Sequence, residues 1–143
     1  MKGRGWLRAG LCFLILYHLV FTGLWPLLLP QSFYDGFPLP RHAWVAMLPP
    51  FNEHLLRDFG ALNISIAAIL GVSAFTMDRR LVMTVLVAGV VFAIPHMIFH
   101  AAHLDNFPPP DAIAQTILLA LMVVLPVVLL PLAYRLPRVD RLN

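Results

Sequence analysis

The sequence predicts an all-α fold: a four-helix transmembrane bundle with both termini on the cytoplasmic side and a long first outer loop. Three observations carry this. Hydrophobic residues make up 60% of the 143 and charged residues only 12%, and a water-soluble core of this length cannot hide that much apolar surface. Four apolar runs stand out, each near the ~20 residues that an α-helix needs to cross a ~30 Å hydrocarbon layer. When these runs are threaded as alternating spans, most Lys and Arg fall on one side, the arrangement that the positive-inside rule requires.

The apolar runs are Ala9–Leu29, Phe59–Met77, Leu81–Ala101 and Ala112–Tyr134. With their flanking residues they predict helices over about 9–29, 52–77, 81–103 and 111–134, in one domain covering 1–143. The first run follows Lys2, Arg4 and Arg8 as a signal peptide would, but it is longer than the ~7 to 15 apolar residues that such signals use. Leu11 directly before Cys12 argues against a lipoprotein signal as well, so the run is read as the first membrane helix. Cys12 is the one cysteine; it rules out a disulfide framework or cysteine metal cluster and reads as a small buried hydrophobe.

Eight of the ten Lys and Arg fit one orientation. Lys2, Arg4 and Arg8 precede the first helix, Arg79 and Arg80 sit in the turn between the second and third, and Arg135, Arg138 and Arg141 follow the fourth. These segments are predicted to be cytoplasmic, with the protein in the plasma membrane. The outer loops keep Arg41 and Arg57 and hold Asp35, Glu53, Asp58, Asp105 and Asp111. Trp6 and Tyr134 mark the inner interface, and Trp25, Tyr34 and Trp44 the outer one. The net charge of +3 forms no continuous basic stripe, so the expected partner is the lipid bilayer, with a membrane-protein partner or a second copy beside it, and no nucleic acid.

The first outer loop runs from about Pro30 to Phe51, and its Pro38, Pro40, Pro49 and Pro50 exclude a continuous helix. Arg41–Leu48 is apolar and aromatic enough to lie as a short helical turn in the interface. The loop reads either as a lid over the outer mouth or as a segment resting in the headgroups. Asn52 is a good N-cap and Glu53 a favourable first-turn charge for the second helix. Pro108, Pro109 and Pro110 followed by Asp111 predict the capped start of the fourth. No internal repeat is present.

Chemistry-bearing residues gather in two segments. At 100° per residue, His96, His100 and His103 fall within about 60° of one another if the third helix continues through them, and Gly89 extends that face inward. On the second helix, His54 and Asp58 stack at i and i+4, and their stripe continues through Ala61, Ser65 and Ala68. Small residues let membrane helices approach closely, so the two polar patches are expected to face each other. His96 lies about 24 Å beyond Arg80 along the helix, in the outer part of the bilayer. An ionisable side chain at that depth should face the bundle interior.

Three imidazoles with a carboxylate suit zinc, and two with a carboxylate suit non-haem iron. His54, Asp58, His96, His100 and His103 are accordingly the predicted ligands of a transition metal, supported by Glu53, Arg57, Ser65 and Gln115. The pattern lacks the Glu that follows the first His in the metalloprotease helix motif, and Glu53 adjoins His54 instead of preceding it by three as in bundle di-iron centres. Membrane desaturases share the HxxxHxxH run, but their histidine boxes need more than the six His present. His18, about 15 Å beyond Arg8 and near mid-membrane, reads either as an axial haem ligand or as a histidine hydrogen-bonded to a neighbouring helix. Its depth differs from that of His96 by roughly 9 Å, which is awkward for two ligands of one haem.

Phe33-Tyr34-Asp35-Gly36-Phe37-Pro38, Asn52-Glu53-His54-Leu55 through Arg57-Asp58-Phe59-Gly60-Ala61, and Pro95-His96 through His100 and His103-Leu104-Asp105 together resemble a family of small four-helix membrane proteins, largely actinobacterial and broadly similar in shape to DoxX-like proteins. The resemblance covers most of the chain. It implies the four-helix fold and one shared site for these segments, and it implies no activity and no catalytic residue.

Three function classes follow from the residues. A transition-metal site in a redox or metal-handling role explains the His and carboxylate grouping. A structural or accessory subunit of a larger membrane complex explains the same residues as ties between helices. A proton or small-solute pathway would extend the outer cluster inward through His18 and Ser65, although no acidic residue lies deep enough to continue it.

Overall fold

The computed structural model describes residues 2–48 and 50–137, so Pro49, Arg138 and Arg141 lie outside the described residues. The described residues are mostly helical, with no strand among them. Four helices are long and apolar enough to cross a membrane: Gly3–Leu28, Glu53–Thr76, Arg79–Ala101 and Pro109–Tyr134. The chain is a multi-pass membrane protein built as a four-helix bundle.

The first span is not one uniform helix. It comprises α1 (Lys2–Leu16), a π-helical segment (Tyr17–Leu24) and α2 (Trp25–Leu28). After a break at Leu29, whose φ of −132° and ψ of 62° leave the helical region, α3 (Pro30–Gly36) follows. This helix lies in what the prolines had marked as loop. Pro30 stands at its first position, where a missing N–H costs nothing, and Phe33 and Phe37 pack with the Trp25 ring. The later spans are α4 (Glu53–Thr76), α5 (Arg79–Ala101) and α6 (Pro109–Tyr134).

Local chemistry sets the ends. Asn52 caps α4 as expected, its Oδ1 accepting from the Leu55 N–H at 3.0 Å. Met77 in the left-handed region (φ 51°) closes α4, and Asp78 starts α5 by accepting from the Leu81 N–H at 2.9 Å. The connection therefore needs only two residues. Arg8 Nε donates to the Ala74 carbonyl at 3.2 Å, one of the last-turn carbonyls that has no partner within the helix. At α6 the expectation fails: Pro108 is the N-cap residue without a side-chain bond, and Asp111 turns to the loop instead.

The spans pack in ring order, first span to α4, α4 to α5, α5 to α6 and α6 back to α1. The packed core occupies the half of the bundle near the Met77–Asp78 turn. There Leu7, Leu11, Leu70, Val82, Leu86 and Leu129 interdigitate. The opposite half, where the long loop attaches, contains a cavity.

Two expected faces are corrected here. The bundle-facing stripe of α4 is Leu56, Gly60, Asn63, Ala67 and Leu70, whereas Ala61, Ser65 and Ala68 are exposed. Gly60 makes the close approach: a Cβ there would lie 2.7 Å from the Gly23 carbonyl oxygen and 2.7 Å from the Leu27 nitrogen. Cys12 was expected to be buried and is exposed, because α1 turns Leu7, Leu11 and Leu14 inward.

Candidate ligand cavity

The cavity has a volume of about 330 Å³. Its wall is largely aromatic, with Phe33, Phe37, Trp44, Phe59, Phe92 and Phe99. The polar side chains at its wall include His96, His100 and Gln115, and among the described residues no Asp, Glu, Lys or Arg lines it.

The long loop roofs this space. Phe37, Trp44, Val45 and Leu48 line the cavity from above, and the loop is fastened to α6 by a single carboxylate. Asp111 Oδ1 accepts from His42 Nδ1 at 2.6 Å and from Trp44 Nε1 at 3.0 Å. Trp44 also donates its backbone N–H to the Phe37 carbonyl at 2.8 Å. The loop lies over the cavity, and Arg41–Leu48 forms turns, with Met47 N–H bonding the Ala43 carbonyl.

The polar wall is incompletely satisfied. Gln115 is only 2% exposed, yet neither Nε2 nor Oε1 has a hydrogen-bond partner, and His100 Nδ1 has none. Gln115 neighbours the His100 ring, without hydrogen-bond geometry between them. His96 is packed by rings, stacked on Phe92 at 5.4 Å and edge-on to His100 at 4.5 Å. An unpaired amide in an apolar interior costs about 1–3 kcal/mol, so its placement at a cavity wall calls for a partner.

Beneath the cavity lies a void of about 30 Å³, room for about one water. His18 and His96 both line it. His18 Nδ1 meets Asn63 Oδ1 at 2.8 Å, and Thr22 Oγ1 donates to the same oxygen at 3.0 Å. Asn63 Nδ2 donates to the Phe59 carbonyl at 2.8 Å, which identifies Oδ1 as the acceptor and places the His18 proton on Nδ1. Of the two readings of His18, the tie to a neighbouring helix is the one its geometry matches.

The expected metal constellation is not assembled. Among the described residues no group of three or more His, Cys, Asp or Glu is placed to hold a metal ion. His54 and Asp58 pair with each other at 3.3 Å, with side chains 87% and 64% exposed, on the outward side of α4. Polar groups at a helix end reach water from that side at little cost, so nothing draws them inward. Glu53 and Arg57 form a second exposed pair at 2.8 Å, and Arg57 also donates to the Leu27 carbonyl. Ser65 Oγ bonds back to the Ala61 carbonyl at 3.0 Å. His103 falls beyond α5, which ends at Ala101, and its Nδ1 donates to the Phe99 carbonyl at 2.6 Å. Of the named site residues, the structure brings His96, His100 and Gln115 together at one wall.

Because His54 and Asp58 bond only each other, His54→Ala and Asp58→Asn are expected to leave the thermal unfolding midpoint in detergent unchanged. A substantial fall for either would restore them to the interior.

Sequence reasoning missed Asn63, Thr22 and the placement of Trp44 in the cavity wall. Asn63 and Gly60 share one helix stripe three residues apart, and that was the available signal. No family model, no curated protein and no solved structure matches the chain.

Proposed function

We propose that this protein is a membrane-embedded binding protein whose cavity holds an uncharged, ring-bearing small molecule. The observation that carries this reading is Gln115, buried at the wall of an aromatic cavity with both amide atoms unpartnered. A ligand hydroxyl can accept from Nε2 or donate to Oε1, with His100 Nδ1 as a further partner, while its ring packs against the phenylalanines. An anion or cation would be desolvated without a counter-charge, because among the described residues no Asp, Glu, Lys or Arg lines the space. The size suits this reading, since small-molecule sites run from about 300 to 1,000 Å³.

The test uses Trp44 as reporter, with Trp6 and Trp25 changed to Phe. In detergent, 4-bromophenol is expected to quench Trp44 saturably through its heavy atom, and 4-bromobenzenesulfonate, the same ring with a fixed negative charge, is not. Equal, unsaturable quenching by both would reject a specific site.

The orientation belongs to the same proposal. The loop end faces outward and both termini lie in the cytoplasm, in the plasma membrane, because the basic residues cluster at the turn end and the chain termini. In a Cys12→Ser background, a cysteine at Ser32 or Asn106 is expected to react with a membrane-impermeant thiol reagent in intact cells, and one at Asp78 is not. Labelling at Asp78 alone would invert the topology.

A further inference from the structure

The cavity wall is not uniform, and its thin side has a definite place. Four of the lining residues are exposed: Pro50, Asn52, Leu55 and Phe99. Leu55 lies in the first turn of α4 and Phe99 in the last turn of α5, and Pro50 and Asn52 lie in the segment that leads into α4. Leu55 is 61% exposed and Phe99 44%, so each lines the cavity and also forms part of the outer surface. On the opposite seam, between the first span and α6, Tyr17, Thr22, Leu118 and Leu119 line the cavity and none is exposed.

The packing explains the asymmetry. The first span and α4 meet backbone to backbone at Gly23 and Gly60, and α5 packs extensively on α6. These two tight pairs leave α4 and α5 joined at the Met77–Asp78 turn and parted by the cavity at the other end. The roof is tied to α6 through Asp111, and the packed core lies on the side of the Met77–Asp78 turn. At the α4–α5 seam the rim is apolar, with Leu55 and Phe99 both exposed on the outer surface. Asn52 at its upper edge has its side-chain oxygen committed to the Leu55 N–H.

We propose that the cavity is loaded sideways from the bilayer, through the seam between Leu55 of α4 and Phe99 of α5, so that its ligand is a lipid-soluble alcohol or phenol dissolved in the membrane. The inference rests on the binding reading above and specifies the source of the ligand. An apolar tail would stay in the seam among lipid chains while the hydroxyl reaches Gln115 and His100.

The experiment measures association rates in liposomes with a bromophenol carrying a dodecyl chain, again read by Trp44 quenching in the Trp6→Phe, Trp25→Phe protein. At fixed total probe, the rate is expected to follow the mole fraction of probe in the bilayer. Leu55→Phe, which narrows the rim, should slow association on the order of tenfold, and Leu55→Ala should speed it. Asp111→Asn, which loosens the roof, should leave the rate as it is. A rate that follows aqueous probe, ignores Leu55 and rises with Asp111→Asn would overturn the lateral route while leaving the site intact. Failure of 4-bromophenol to quench saturably in detergent would instead overturn the binding reading, and the route with it.

Discussion

Gln115→Met is expected to make the ligand-free protein more stable and to weaken 4-bromophenol binding at least about tenfold. The two effects share one cause. Both amide atoms of Gln115 are buried without partners, and methionine fills a similar volume with no polar atom to desolvate, so roughly 1 kcal/mol of stability should be gained. The ligand then loses a donor and an acceptor together, each worth about 0.5–1.5 kcal/mol net, which converts to roughly tenfold or more in affinity. Thermal unfolding without ligand and Trp44 quenching with it measure the two halves separately. If Gln115 were a tie within the bundle, Met would lower the midpoint and leave quenching alone, and the proposed role would be lost.

The largest effect on folding is expected at Gly60. In Gly60→Val, the new Cβ would lie 2.7 Å from the Gly23 oxygen and the Leu27 nitrogen, and 2.9 Å from the Leu27 Cβ. Two of those three atoms are backbone, which cannot rotate away, so the first span and α4 must separate. Overpacking of this kind costs about 1–3 kcal/mol in a forgiving site and more against backbone. Separation also pulls Thr22 and His18 from Asn63. Loss of folded protein on size exclusion, or a midpoint lowered by at least about 3 kcal/mol equivalent, is the expected result. Gly71→Ala is the control, because nothing lies within 4 Å of its Cβ. A Gly60→Val protein as stable as its parent would contradict the observed crossing.

The spans were legible because twenty apolar residues in a row admit few alternatives, and Asn52 was legible because its side chain acts on its own helix. Faces were harder. In water, hydrophobic periodicity separates inside from outside, but a membrane helix is apolar on both sides. Ranking α4 by its polar residues therefore selected His54, Asp58 and Ser65, which face outward, and passed over Gly60 and Asn63, which face the first span. The metal reading inherited that rotation. On α5, His96 and His100 were grouped by helical periodicity and His96 by its depth as well, and they do line the cavity. The cavity itself could not be read from the chain, since it depends on a loop crossing to Asp111 on the far side of the sequence. The helix Pro30–Gly36 was hidden for a simpler reason: prolines that forbid a long helix permit a short one.

The π-helical segment Tyr17–Leu24 has a consequence for how the chain tolerates changes in length. Each π turn takes in about one residue more than an α turn over the same stretch of axis. The first span carries a surplus residue, stored beside the Asn63 tie. Losing one residue within 17–24 would let the segment rewind as ordinary α-helix with both flanks in register. The same loss in α4, which has no such slack, would turn everything beyond it by about 100°.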